Sequence, residues 1–183
     1  LTEPTTQIAI ELNDELTSEV SLTDMTYEVV YESGIAAGIV AKASNTSVRN
    51  VINKANVIST DEAAGLLGIT SNTTIKRAYN TGDITATNKA SGLISSIKNS
   101  TTNVEIDRTY NAGTLTATQT SSFVSEISNN ASITMTRTFN TSSATNNLVT
   151  EQNITISNVQ DVNQSTVTGI TTKTIDEIKD KTN

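Results

Sequence analysis

Short apolar blocks recur along the middle of the chain at intervals of about 27 residues. The first block of each copy joins a small residue to aliphatic or aromatic side chains, in Gly38-Ile39-Val40, Gly65-Leu66-Leu67, Gly92-Leu93-Ile94, Ser122-Phe123-Val124 and Asn147-Leu148-Val149. The spacings from the first position of each block are 27, 27, 30 and 25 residues. A fixed period in this range is typical of architectures in which each repeat stacks on the next.

Two further blocks complete each copy. The second block ends in Asn, often after an aromatic residue, in Val48 to Asn53, Ile75 to Asn80, Ile106 to Asn111 and Met135 to Asn140, and a degraded fifth copy runs from Ile156 to Asn163. The third block carries Val57, Ile84 and Leu115. These blocks are too short for amphipathic helices but suit strands. The pattern predicts an all-β fold, a β-solenoid of about five coils over residues 35–170.

Residues 1–34 have a different character, with eight acidic residues and no basic one. Apolar and polar residues alternate there, which predicts half-buried strands that need a neighbour. The cleanest alternation lies at the chain end, in Thr6, Ile8, Ile10 and Leu12. We expect this segment either to cap the first coil or to be lent as a strand to a neighbouring subunit.

Residues 171–183 predict a short helix over the last coil. Thr174 and Glu177 have the spacing of a capping box, and the helix is expected to end at Asp180 or Lys181. A repeat protein needs such a polar terminal element, because an exposed solenoid end is an unpaired strand edge.

The repeats resemble a known family. Ala64-Gly65-Leu66-Leu67-Gly68 followed by Ile75 to Ile84, with Tyr79, Asn80 and Gly82, is similar to the GLUG motif. Ala112-Gly113 repeats the pattern after Tyr110-Asn111. The resemblance covers residues 36–180 approximately. It implies a β-solenoid on the surface of, or secreted by, a bacterium or archaeon, in an adhesin or a non-catalytic part of a large secreted protein.

Composition removes several function classes. The chain has 183 residues, no Cys and no His, and its formal net charge is −7. The absence of Cys and His removes thiol nucleophiles, zinc ribbons and the commonest general base. An acidic chain with 12 scattered basic residues is a poor nucleic-acid binder. No run of 18 apolar residues occurs, so we expect no membrane insertion. We therefore predict no catalytic residues, no metal site and no cofactor.

Three arginines, Arg77, Arg108 and Arg137, each lie two residues before an aromatic of the second block. Stacked coils would place them about 5 Å apart, as a solvated column or as a groove for anionic glycans or an acidic protein segment. The aromatics Tyr79, Tyr110 and Phe139 are expected to pack in the core or at its rim, with a sugar-stacking platform as the alternative.

Two columns of asparagine accompany the strands. Asn45, Asn72, Asn99, Asn130 and Asn153 follow the first strand, where Asn tolerates a positive φ. These five also fit the N-glycosylation pattern, so glycosylation is an alternative reading of the same column. Asn53, Asn80, Asn111, Asn140 and Asn163 form the second column, in which stacked amides can hydrogen-bond from coil to coil.

The architecture suggests a function through its ends, which present unpaired backbone groups. Head-to-tail pairing does not close on itself and generates a filament. We therefore expect an extracellular, self-assembling structural protein. The alternative is an adhesin or stalk that binds glycans on one solenoid face. A third hypothesis, a polysaccharide-active enzyme, depends on the neighbouring carboxylates of Glu105 and Asp107.

Overall fold

The computed structural model describes residues 29–31, 34–98, 102–128, 130–148, 154–163, 165 and 167–179. The proposed inter-subunit strand (Thr6, Ile8, Ile10 and Leu12) and the glycosylation candidates Asn99 and Asn153 lie outside these ranges. Within them the chain forms parallel stacked strands and one short helix, which confirms the predicted all-β solenoid. The solenoid has about four turns, where the spacing of the blocks predicted about five.

Eighteen strands follow one another along the described residues. They are β1 (Val29–Tyr31), β2 (Ile35–Ala37), β3 (Val40–Ser44), β4 (Ser47–Asn53), β5 (Val57–Ser59), β6 (Glu62–Ala64), β7 (Leu67–Ser71), β8 (Thr74–Asn80), β9 (Ile84–Ala86), β10 (Lys89–Ser91), β11 (Ile94–Ile97), β12 (Asn103–Asn111), β13 (Leu115–Thr116), β14 (Gln119–Ile127), β15 (Ser132–Asn140), β16 (Asn146–Leu148), β17 (Ile154–Asp161) and β18 (Ile170–Thr172). The helix α1 spans Ile175–Lys179.

The strands form three parallel sheets, each with one layer per coil. Sheet A has the order β1-β5-β9-β13, and sheet C has the order β18-β17-β15-β12-β8-β4. Sheet B contains β2, β6 and β10 in one half and β3, β7 and β11 in the other, and the long strand β14 joins the two halves. Parallel stacking of this kind satisfies backbone groups between coils rather than within one.

The register agrees with the sequence blocks. Val40, Leu67, Ile94 and Val124 are paired partners in sheet B. The Leu66 N–H donates to the Leu93 carbonyl at 3.1 Å, and the Leu93 N–H donates to the Phe123 carbonyl at 3.2 Å. The first block of each copy therefore lies directly above the first block of the next, as predicted.

Two apolar clusters fill the cross-section. The larger lies between the second half of sheet B and sheet C, and it contains Leu66, Leu93 and Phe123 at zero exposure. The smaller lies between sheet A and the first half of sheet B, around Val57 and Ile84. Four of its seven buried residues are alanines: Ala36, Ala63, Ala86 and Ala90.

The final coil departs from the predicted register. Asn140 pairs with Asp161, and Phe139 pairs with Gln160. The prediction that Asn163 continues the second asparagine column is therefore wrong. Asn140 and Asp161 are only 21 residues apart, so the last copy is shorter than the others. The prediction followed the residue type, whereas Asp161 lies five residues after Ile156, as each earlier Asn lies five residues after the first apolar residue of its block.

The C-terminal residues lie over the last coil. Strand β18 pairs with β17, and Ile178 of helix α1 is 1% exposed. The capping box is present as predicted, because the Thr174 N–H donates to Glu177 Oε2 at 2.8 Å and the Glu177 N–H donates to Thr174 Oγ1 at 3.3 Å. In the described part of the chain, α1 is far too short to cross a bilayer and no longer apolar helix occurs.

Candidate functional site on the outer face of sheet C

Sheet C bends at one position in every coil. Five residues there have a positive φ: Asn50 (54°), Arg77 (53°), Arg108 (51°), Arg137 (49°) and Asn158 (53°). The strand pairing skips these residues. Lys76 pairs with Asp107 and Ala78 pairs with Thr109, whereas Arg77 and Arg108 have no paired partner between these two strands. We call these five residues the left-handed column. They bend the strands of sheet C at the same position in successive coils.

A left-handed conformation suits the two ends of this column better than its middle. Asn adopts positive φ readily, because its short side chain bonds nearby backbone groups. Any other side chain with a Cβ experiences a clash that costs about 1–2 kcal/mol. Arginine nevertheless occupies the three central positions. The sequence revealed the arginine column, but an arginine does not itself indicate a positive φ.

The guanidinium groups have unlike partners. Arg137 donates to Asp107 Oδ1 through Nε at 2.8 Å and approaches the same oxygen through Nη2 at 2.6 Å. Arg108 Nη1 lies 3.3 Å from Asp107 Oδ2. Arg77 Nε donates to the amide oxygen of Asn50 at 2.6 Å. Among the described residues, no carboxylate pairs with Arg77, so the one carboxylate of this row, Asp107, serves only Arg108 and Arg137.

The neighbouring charges lie on the same face. Lys76 Nζ is 2.9 Å from Glu105 Oε1, and the two are half-buried. Glu105 and Asp107 therefore share one strand face, as predicted, but each is paired with a different basic residue. We call the set Lys76, Arg77, Glu105, Asp107, Arg108 and Arg137 the basic strip. With four cations and two carboxylates, it carries a net charge of +2 in a chain whose net charge is −7.

An aromatic column runs beside the strip. Ile52, Tyr79, Tyr110, Phe139 and Gln160 are successive ladder partners on the outer face. The three rings are half-buried, and the Tyr110 hydroxyl lies 3.0 Å from Thr141 Oγ1. They alternate with buried residues such as Ala78 and Asn80, which face inward. The rings therefore lie at the rim, two residues along each strand from an arginine.

Four residues of the second asparagine column, Asn53, Asn80, Asn111 and Asn140, are each at most 1% exposed. The side-chain Nδ2 of each residue donates to Oδ1 of the next: Asn53 to Asn80 at 2.8 Å, Asn80 to Asn111 at 2.8 Å, Asn111 to Asn140 at 2.7 Å and Asn140 to Asp161 at 2.8 Å. We call this chain of bonds the amide ladder. All its donors point toward the C-terminal end, where Asp161 accepts and needs no further acceptor.

Glycines make room for the amide ladder. A Cβ added at Gly92 would lie 2.7 Å from Asn111 Cγ, and one at Gly65 would lie 2.8 Å from Asn80 Cβ. In the last two coils the glycine column changes to Ser122 and Asn147, whose side chains bond to Asn163 and Asp161 near the end of the amide ladder. Asn147 Nδ2 donates to Asp161 Oδ2 at 2.6 Å. The loss of glycine in those coils thus has a structural reason.

A charged cluster on sheet B was not predicted from the sequence. Lys89 Nζ lies 3.1 Å from Glu62 Oε1 and 3.2 Å from Glu126 Oε2, and Lys98 also pairs with Glu126. The hydrogen bond from Lys98 is the largest cause that lowers the pKa of Glu126. Burial lowers the pKa of Lys89, but the bonds to Glu62 and Glu126 outweigh it and the net shift is upward. The 27-residue spacing of Glu62 and Lys89 was the available signal.

The first asparagine column lies on exposed turns. Asn45, Asn72 and Asn130 have φ values of 53°, 46° and 64°. Asn72 Nδ2 donates to Asn45 Oδ1 at 3.1 Å, and the Asn103 N–H donates to Asn72 Oδ1 at 3.2 Å. The turn role is thus evident for these three residues, and their glycosylation stays a prediction.

No family model matches the chain, and neither a curated protein nor a solved structure gives a match. The likeness to GLUG repeats therefore stays a prediction from the residues quoted above. Across the described ranges, no group of three or more potential ligand side chains is arranged to hold a metal ion. The fold defines the class, a β-solenoid, and the basic strip is its candidate site.

Proposed function

We propose that the protein is a non-catalytic, extracellular structural protein whose solenoids associate end to end. The observation that carries this proposal is that the first coil has unpaired strand edges. Its strands β2, β3 and β4 are terminal in their sheets, and no other described strand pairs with their outer edges. Unpaired strand edges bind a further strand through main-chain hydrogen bonds.

The charge of the first coil indicates what would cover those edges. Residues 35–60 contain Lys42, Arg49 and Lys54 and no acidic residue. All three basic side chains are exposed. Residues 1–34 carry eight acidic residues and no basic one. Opposite charge favours the encounter of the acidic segment with a first coil, and pairing with the coil of another subunit would link two chains.

The two ends of the solenoid are unlike, which favours a head-to-tail arrangement. Residues 138–172 contain two acidic residues and no basic one, in contrast to the basic first coil. The described C-terminal residues place helix α1 over the last coil with Ile178 buried. A contact between different surfaces is heterologous, and when its rotation does not close it builds a filament. The extracellular location is supported by the resemblance to GLUG repeats.

Electron microscopy and light scattering of the purified chain test this proposal. We expect fibres or concentration-dependent oligomers for the full chain and single particles after deletion of residues 1–13. The variant K42Q/K54Q should weaken association, whereas T85E/T118E, which changes net charge equally at exposed positions elsewhere, should not. Single particles of the full chain at every concentration would contradict the proposal.

A further inference from the structure

The left-handed column supports an inference that is independent of self-association. We propose that the basic strip and the aromatic column beside it form a binding face for an extended, carboxylated polysaccharide. The structure shows that Asn serves the backbone conformation in the first and last coils, at Asn50 and Asn158. Arg77, Arg108 and Arg137 adopt the same conformation at a cost in backbone energy. Residues held in a strained conformation cluster at binding sites.

The donors of the strip are only partly used within the chain. Among the described residues, Asp107 is the single carboxylate in contact with Arg108 and Arg137, and its side chain is 8% exposed. The side chain of Arg108 is 50% exposed, and its contact with Asp107 is the longer one. Arg77 uses Nε for Asn50, and in the described part of the molecule its terminal nitrogens meet no carboxylate. Arg77 and Arg108 therefore have N–H groups free to donate to a ligand.

The spacing of the strip suits a polymer rather than a small anion. Adjacent coils are about 4.8 Å apart, so the arginines form a straight row along the solenoid axis. Guanidinium groups bind carboxylates in a bidentate manner, with charge-assisted hydrogen bonds. A chain with carboxylates at regular intervals would meet one arginine after another, whereas a single anion would contact at most two.

The aromatic column favours a carboxylated polysaccharide over other polyanions. Tyr79 and Tyr110 lie two residues from Arg77 and Arg108 on the same outer face. Half-buried rings offer apolar surface to the C–H faces of a pyranose, while the adjacent arginines bind its carboxylate. Glu105 and Asp107 interrupt the positive charge, and the chain carries a net charge of −7. Both features oppose the dense negative charge of a nucleic acid.

Titration with polygalacturonate, a polymer of carboxylated sugars, tests the inference. We expect binding at low ionic strength that weakens as salt is added, since exposed charges are screened. Dextran, poly-L-glutamate and a dT oligonucleotide are measured in parallel, and each should bind at least about tenfold more weakly. Equal binding of polyglutamate or of the oligonucleotide would overturn the assignment to a polysaccharide, and no binding of polygalacturonate would overturn it outright.

The variant R77N/R108N separates the site from the fold. Asn already occupies the same position in two coils, so we expect the variant to unfold at an unchanged or higher temperature. Its affinity for polygalacturonate should fall at least about tenfold. K42Q/K54Q removes the same number of charges from the first coil and should retain binding. An equal loss in both variants would mean that net charge, and not this face, binds the polymer. Because K42Q/K54Q targets self-association, the two proposals can fail separately.

Discussion

The amide ladder and the left-handed column run parallel through the same coils of sheet C, yet their side chains obey different rules. The ladder is buried and nearly invariant, with four asparagines followed by Asp161. The column is mostly exposed and varied, with arginines between Asn50 and Asn158. The two positions are only three residues apart on each strand. At the amide ladder the environment determines the side chain, whereas at the left-handed column the side chain can vary.

The reason lies in what each position demands. A buried amide must both donate and accept, so its neighbour in the row must do the same, as another amide does here, until an acceptor such as a carboxylate ends the row. The left-handed position constrains the backbone and leaves the side chain in solvent. Repetition in the interior therefore reports stability, whereas a departure from the favoured residue at the surface suggests function.

The largest effect is expected from Asn111→Asp in the amide ladder. Asp would place a carboxylate against Asn140 Oδ1 where Asn111 Nδ2 now donates at 2.7 Å. We expect the free energy of unfolding to fall by about 3 kcal/mol or more at neutral pH, measured by urea denaturation.

Asp161→Asn is the matched control. It makes the reverse exchange of a carboxylate for an amide, at the end of the ladder where the side chain only accepts hydrogen bonds. Its expected cost is about 1–2 kcal/mol, since one amide must reorient. Equal losses for the two variants would show that the direction of the ladder has no energetic role.

Gly92→Ala is expected to have the next largest effect. The new methyl group would lie 2.7 Å from Asn111 Cγ and would contact the Ser122 carbonyl, so the coils must separate. Overpacking of this kind costs about 1–3 kcal/mol in thermal or urea unfolding. Ser122→Ala, in the same column, removes the 3.1 Å bond to Asn163 and should cost about 1 kcal/mol. If Gly92→Ala left the stability unchanged, this would contradict the close approach of the glycine column to the amide ladder.

Arg77→Asn is expected to leave stability unchanged or to raise it by up to about 1 kcal/mol, because it removes an unfavourable left-handed arginine. Arg77→Val, in which the β-branched side chain worsens the same clash, should lower it. Calorimetric melting temperatures of the two variants check the order. Should Arg77→Asn prove clearly destabilising, the arginine would have a structural role and the contrast with the amide ladder would disappear.

Glu177→Gln is expected to have the smallest effect, through the exposed capping box. The backbone N–H of Thr174, with Lys173 and the Thr174 hydroxyl, lowers the pKa of Glu177 to about 2 from a usual 4.5. A lowered folded-state pKa means that the carboxylate stabilises above pH 4.5 and that this contribution is lost as the pH falls toward 2. The difference in unfolding free energy between the natural chain and Glu177→Gln should shrink over that window. A difference independent of pH would exclude the carboxylate as its source.

The sequence predicts much of this fold because repetition is visible in the residues. Leu66, Leu93 and Phe123 recur with their neighbours, and a parallel stack brings such residues into one column. The left-handed column could not be predicted, because arginine argues against positive φ and only Asn50 and Asn158 at equivalent positions indicate it. The end of the amide ladder was misplaced because the residue type favoured Asn163, whereas the five-residue length of the second block, counted from Ile156, and hydrogen-bond chemistry both favour Asp161.

Disulfide formation between introduced cysteines tests the residue-by-residue stacking of the coils most directly. The natural chain has no Cys, so each pair is the only one present. Thr134 and Thr155 are ladder partners on the outer face, at a separation that a disulfide can span. We predict that T134C/T155C oxidises readily and that T134C/S157C, which matches the register ending at Asn163, does not. Preferential oxidation of T134C/S157C would contradict the stacking in which Asp161 ends the amide ladder and Asn158 ends the left-handed column.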